Sequence, residues 1–206
     1  MKYFTAISAG LALAGLTSAM PLVAREKTAA AIIGEIAPTS LSCAETTECR
    51  TNVQAAPFFI TAFSNRTLMY PGQMAAVLAL TAFETQDYKY KHNISPGRPG
   101  QGTSNMQMVE YNIEYANSIP ELQPKVAALG TIDTDAKKNQ LLALVTADEY
   151  NFGSGAWYLT KHCPEVVPQL ATGTDAAFNA YMQCVGVELT SARSAYWTRA
   201  KSAFGL

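Results

Sequence analysis

Apolar residues recur at helical spacing along most of this chain, and the segment where that spacing fails is short. After Pro71, which suits the first turn of a helix, Met74, Val77, Leu78 and Thr81 fall on one face. Glu84 follows Val77 by seven residues and Leu80 by four, so the same face carries a carboxylate at the helix end. From Asp87 to Gly102 the pattern breaks. Tyr88-Lys89-Tyr90-Lys91 alternates like a short strand, and Pro96-Gly97-Arg98-Pro99-Gly100-Gln101-Gly102 requires a turn or loop. Helical spacing resumes near Met106, with Val109, Ile113 and Ala116 on one side. Asp133-Thr134-Asp135 offers a cap for a helix through Val145. Residues 156–163, 175–185 and 191–204 read as further helices, the last with Ala192, Tyr196, Ala200 and Phe204 in one stripe. The expected fold class is mainly α. Any α+β character is confined to a small hairpin or irregular lobe around residues 87–104.

The first residues stand outside this pattern. Lys2, the apolar run Phe4 to Leu16 and the small residues of Thr17-Ser18-Ala19 read as a signal peptide over residues 1–19. That run is too short to span a membrane and no later run reaches the necessary length, so a secreted, extracellular chain is expected. Residues 20–35 read as a pro-segment or a disordered N-terminus. About 187 residues remain after the leader, enough for one domain with an ordinary core, and no repeat or linker divides them. The formal net charge is −1 and no Lys/Arg cluster occurs, which gives no electrostatic support to a nucleic-acid or membrane partner. A monomer is expected.

The four cysteines allow three disulfide connectivities. Cys43–Cys49 and Cys163–Cys184 are favoured because each pair lies within one local region, and the second would close a loop worth about 3 kcal/mol. Zinc is the rival use, but no Cys-x-x-Cys or His-x-x-x-His spacing supports it. Asn65-Arg66-Thr67 and Asn93-Ile94-Ser95 are acceptor tripeptides for N-glycosylation, the second followed by Pro96.

A carboxylate where a buried helix meets a cleft-building loop suits a general acid for glycosidic bonds, since apolar surroundings favour its protonated form. Glu84 holds that position. Its structural alternative is a carboxylate that only caps or ion-pairs a helix end. Asp87 is the nearest second carboxylate in sequence for activating water, with Glu110 and Glu114 as alternatives that also read as exposed helix surface. Tyr88, Tyr90 and Tyr111 are candidate walls for a sugar cleft, whereas Trp157 and Trp197 sit in helical patterns and read as core. A Ser-His-Asp hydrolase is disfavoured because no Gly-x-Ser-x-Gly elbow occurs, and the Gly-rich loop lacks the Gly-Lys-Ser/Thr of a phosphate loop. No cofactor and no metal are implied.

Three ordered segments resemble the motifs of goose-type lysozymes and lytic transglycosylases. They are Glu84-Thr85, Ser104-Asn105-Met106-Gln107, and Glu149-Tyr150-Asn151-Phe152-Gly153. The Gly-Arg and Gln elements are also similar to plant-type chitinases of the same lysozyme-like superfamily. The resemblance covers roughly residues 70–205, and Thr85, Ser104-Asn105 and Phe152 depart from the family pattern. It implies one lysozyme-like domain over residues 36–206, with Glu84 as general acid. It further implies that Asn105 and Gln107 line a sugar cleft, that Tyr150 hydrogen-bonds the acid and that Asn151 shapes the site. The expected function is a secreted glycoside hydrolase cleaving β-1,4 links of an amino-sugar polymer, with peptidoglycan or a chitin-type polysaccharide as partner. The alternative is a non-catalytic carbohydrate-binding or effector protein on the same scaffold.

Overall fold

Thr28 opens the first helix by accepting a hydrogen bond from Ala31 N–H at 3.2 Å, and α1 (Ala29–Ile36) buries Ile33 and Ile36. The computed structural model describes residues 27–44 and 46–206; the expected leader over 1–19 lies outside the described residues. Residues 29–35 belong to the packed body, unlike the pro-segment or disordered N-terminus expected over 20–35, of which residues 20–26 lie outside the described residues. Two turns of helix are too short to persist alone. The helix α1 persists because it is pressed against its neighbours, α2 (Asn52–Asn65) and α11 (Ser191–Phe204) among them.

The fold is mainly α, as the spacing predicts. A capping box starts α2, with Thr51 accepting from Gln54 N–H and the Gln54 side chain returning to Thr51 N–H. At its centre runs α3 (Pro71–Glu84), in which ten of fourteen residues are buried, so neighbours surround it on every side. Around it follow α4 (Val109–Asn117), α5 (Gln123–Leu129), α6 (Asp135–Val145), α7 (Asp148–Asn151), α8 (Ser154–His162), α9 (Val167–Leu170) and α10 (Asp175–Val185). The long α11 lies against α3. Trp157 and Trp197 are buried, Trp197 stacking on Phe178 with ring centres 4.6 Å apart.

Cys43–Cys49 and Cys163–Cys184 are both bridged, and the described residues contain no free cysteine. No helix among the described residues is long and apolar enough to cross a membrane.

The expected strand at 88–91 does not form. Gln86, Asp87 and Tyr88 instead take φ of 51°, 61° and 65°, a left-handed turn that costs about 1–2 kcal/mol per residue for L-amino acids. Long-range contacts offset that cost. The turn drives the Tyr88 ring into the core beside Phe59 and Phe152, at 5.5 and 5.9 Å between ring centres. Beyond it, residues 91–107 form an irregular lobe held by isolated bridges, His92 with Gly102 and Gly102 with Gln107. Gly102 is obligatory there: a Cβ would stand 2.3 Å from the Lys91 carbonyl oxygen.

Candidate functional site

The end of α3, the 98–108 segment, α8 and the residues after α10 enclose a cavity of about 280 Å³. Glu84, Asn105, Gln107 and Tyr111 all line it, so the fold brings together four of the residues singled out from the sequence. The environment of Glu84 differs from the apolar cage expected of it. Its Oε1 accepts a hydrogen bond from Arg193 Nη2 at 2.9 Å, and both side chains are largely buried. The guanidinium also lies 4.5 Å above the Phe83 ring and donates to the Glu188 carbonyl. The carboxylate therefore closes an α3–α11 ion pair. Arg193 lies 109 residues away, and no local pattern announced it.

Asp87 is not a partner of Glu84. It is buried, and its carboxylate accepts from Thr39 N–H at 2.9 Å, Thr39 Oγ1 at 2.8 Å and Tyr196 OH at 2.7 Å. Those bonds anchor the left-handed turn to the segment after α1 and to α11. This corrects the expected catalytic role to a structural one. Burial, followed by the hydrogen bond to Asp87 and its charge, pushes the Tyr196 phenol up to about 12.

Asn105 and Gln107 are the most informative pair. Each is at least nine-tenths buried, and Asn105 Nδ2 donates to Gln107 Oε1 at 3.2 Å. That bond uses one end of each amide and leaves Asn105 Oδ1 and Gln107 Nε2 without a partner among the described residues. Burying an amide atom unpaired costs about 1–3 kcal/mol. Both unpaired ends are closed off from solvent, and Asn105 Oδ1 lies toward Gly155 of α8, 3.5 Å from where a Cβ on that glycine would stand. The backbone holds them rigidly. Thr103 and Met106 take φ of 68° and 45°, Thr103 N–H donates to Lys91 O, and Gln101 Nε2 donates to Met106 O. Beneath, the fully buried Asn112 donates through Nδ2 to the carbonyls of Gly100 and Gln107.

The third motif sits elsewhere. Tyr150 borders a separate cavity of about 430 Å³ with Phe58, Tyr115 and Glu149, so the expected hydrogen bond from Tyr150 to Glu84 is corrected. Its main-chain carbonyl instead accepts from Tyr115 OH at 2.7 Å. Asn151 reaches the site only indirectly: its carbonyl accepts from Ser104 Oγ at 2.8 Å, fixing the residue before Asn105. Tyr88 is core, and Tyr90 does not line the Glu84 cavity. Tyr158, missed from the sequence, does line it, with its ring edge-on to Tyr111 at 5.0 Å. Burial, then the neighbouring Tyr111, holds the Tyr158 phenol far above its ordinary range. Leu80, Met106, Val185 and Val187 supply apolar wall. Nothing in their local sequence marks them as cleft rather than core.

A partly buried ion network pins the lobe to the body. Lys91 Nζ reaches Asp148 Oδ1 at 2.5 Å and the Thr146 carbonyl at 2.9 Å, while Arg50 Nε reaches Asp148 Oδ2 at 2.6 Å. Burial alone would raise Asp148, but hydrogen bonds and charge from Lys91 and Arg50 outweigh it and hold the carboxyl below its usual range. Among the described residues no group of three or more His, Cys, Asp or Glu is placed to hold a metal ion.

No protein-family model matches the chain, and no solved structure matches it. A curated relative from Fusarium oxysporum (strain Fo5176), a bifunctional dioxygenase (DOX)-epoxy alcohol synthase (EAS), is 49% identical over 157 residues. The match covers 74% of this chain but 12% of that protein, so the chain spans about an eighth of the relative's length. The activities in the relative's name are of a different class from glycoside cleavage. Together with the Arg193 partner of Glu84 and the displaced Asp87 and Tyr150, this corrects the expected hydrolase, glycosidase and muramidase function.

Proposed function

We propose that this chain is a binding module for a small oxygenated molecule, one that carries a hydroxyl beside a second oxygen. The observation that carries the reading is that two residues lining the cavity hold an unpaired acceptor, Asn105 Oδ1, and an unpaired donor, Gln107 Nε2, among the described residues, buried ends that a turn of each amide brings to a ligand. A hydroxyl donates to the first, and a neighbouring ether, epoxide or hydroxyl oxygen accepts from the second. An epoxy alcohol, the compound class in the relative's name, presents that arrangement. Its hydrocarbon part fits against Leu80, Met106, Val185 and Val187. The lining groups are amides, phenols, thioethers, aliphatic chains, the Arg98 guanidinium and the Glu84 carboxylate, a set that binds and orients a ligand.

We also propose that the chain is secreted, on the support of its leader-like first residues and its two disulfides. A lysozyme-like scaffold is proposed on the ordered motifs at 84–85 and 104–107, which meet at one cavity.

The test is calorimetric titration with a linear epoxy alcohol and with the alkane of equal length. The variants are Asn105→Leu and Gln107→Met, which keep side-chain volume while removing one end of the pair. The epoxy alcohol is expected to bind the wild type in preference to the alkane, and each variant to bind it about five- to tenfold more weakly, from about 1 kcal/mol per hydrogen bond. Equal binding of both probes, or variants that bind as the wild type does, would sink the reading.

A further inference from the structure

We infer that Asn65 is a site of N-glycosylation and that Asn93, in the second acceptor tripeptide, is not. Asn65 is the last residue of α2, is exposed, and makes no side-chain hydrogen bond among the described residues. Arg66 caps the helix through its N–H to the Ala62 carbonyl, and Thr67 follows with φ of 55°. A left-handed residue after a helix end is ordinarily Gly or Asn, because a β-branched side chain crowds its own backbone there. Thr67 is nevertheless exposed, in the one position where the acceptor tripeptide requires a hydroxyl. Its left-handed turn closes the end of α2, with Thr67 N–H donating to the Ser64 carbonyl and Leu68 N–H to the Phe63 carbonyl, and buries Leu68 while the Thr67 side chain itself stays exposed. Asn65 and Arg66 also stand on the rim of the cavity walled by Phe58, Tyr115 and Tyr150, which leaves room for the first sugars beside aromatic faces.

Asn93 is built into the fold instead. Its Oδ1 accepts from Gly97 N–H at 2.8 Å and Arg98 N–H at 3.2 Å, closing the turn that carries Arg98 to the ligand cavity. Pro96 directly after its tripeptide restricts the backbone there further.

The reaction requires an oligosaccharide carried on a lipid pyrophosphate. The Asn65 amide nitrogen bonds to the anomeric carbon as the bond from that carbon to the pyrophosphate oxygen breaks. The nitrogen loses one proton, and the lipid pyrophosphate leaves with the bonding pair; nothing is oxidised or reduced. The inference rests on the secreted reading above, because that donor is met in the secretory pathway.

The full chain should be expressed in a eukaryotic host as wild type, Asn65→Gln and Asn93→Gln. Medium and cell fractions are then treated with an amidase that releases N-glycans, and the peptides are mapped by mass spectrometry. The expected result is secreted protein whose peptide containing Asn65 carries a glycan and reads Asp at 65 after release. The glycan should be lost in Asn65→Gln and kept in Asn93→Gln. Secreted protein with an unmodified Asn65, or with its glycan on Asn93, overturns the assignment while leaving secretion intact. Unmodified protein retained in the cells overturns secretion and the site together. No residue of α2 lines the Asn105–Gln107 cavity, so Asn65→Gln should leave binding of the epoxy alcohol probe unchanged.

Discussion

Helix α3 and the lobe at 86–107 adjoin in sequence and share one cavity, yet different forces hold them. Helix α3 satisfies its backbone within itself and buries a nearly continuous surface of Ala, Val and Leu. The lobe has almost no regular hydrogen bonding. It keeps its shape through left-handed residues, an obligatory glycine and side chains that reach its backbone, Asn112 and Gln101 above all. Apolar burial sets the stability of the first region, and polar pairing sets the geometry of the second. The cavity of Glu84, Asn105 and Gln107 lies where they meet, with one wall from α3 and its amide side chains from the lobe.

Substitutions in the two regions should therefore behave differently. Phe59→Ala removes a core ring that touches Phe63, Tyr88 and Phe152, and should cost about 3–5 kcal/mol. Body and lobe should then unfold together in urea, in one transition at lower midpoint. A lobe that melts separately in this variant would break the idea that the body supports it. Gly102→Ala puts a methyl against the Lys91 carbonyl and the Leu142 side chain, and should cost about 3 kcal/mol. Amide exchange should accelerate over residues 91–107 first, and affinity for the epoxy alcohol probe should fall with it.

Asp148→Asn leaves the buried Lys91 without its carboxylate. Because Asp148 is partly exposed, the cost is set at about 2 kcal/mol, below that of a fully buried pair. This interaction also gives the lobe a pH dependence. The folded carboxyl sits below its unfolded value, so its stabilisation is fully present above about pH 4 and is lost as pH falls through the folded value. Thermal melts between pH 7 and pH 3 should show a steeper acid loss for wild type than for Asp148→Asn. Parallel curves would remove Asp148 from the account. The smallest effect belongs to Gly186→Ala at the cavity rim. Its φ of 78° is strained for alanine, but no atom lies within 4 Å of the added carbon, so about 1 kcal/mol of lost stability is expected.

The legibility of the two regions follows the same division. Helices α3, α4, α6, α8, α10 and α11 could be read from spacing and caps, because their apolar stripes repeat within a few residues. The local disulfide pairing could be read for a similar reason. The strand pattern of Tyr88 to Lys91 misled, because an alternating pattern says nothing of a left-handed turn held by Thr39 and Tyr196 from afar. The site was half visible: Glu84, Asn105, Gln107 and Tyr111 do meet, whereas Asp87, Tyr150 and Asn151 serve other contacts.

What the sequence determined by itself is the helical class, the position of the irregular lobe and the two bridges, since each follows from interactions between residues close along the chain. Only the tertiary structure decided that Glu84 faces Arg193, that Asp87 is a clamp, and that two amides line one cavity with an end of each left unpaired among the described residues. Those outcomes depend on how residues far apart along the chain pack around each buried polar group, and no local pattern encodes that packing.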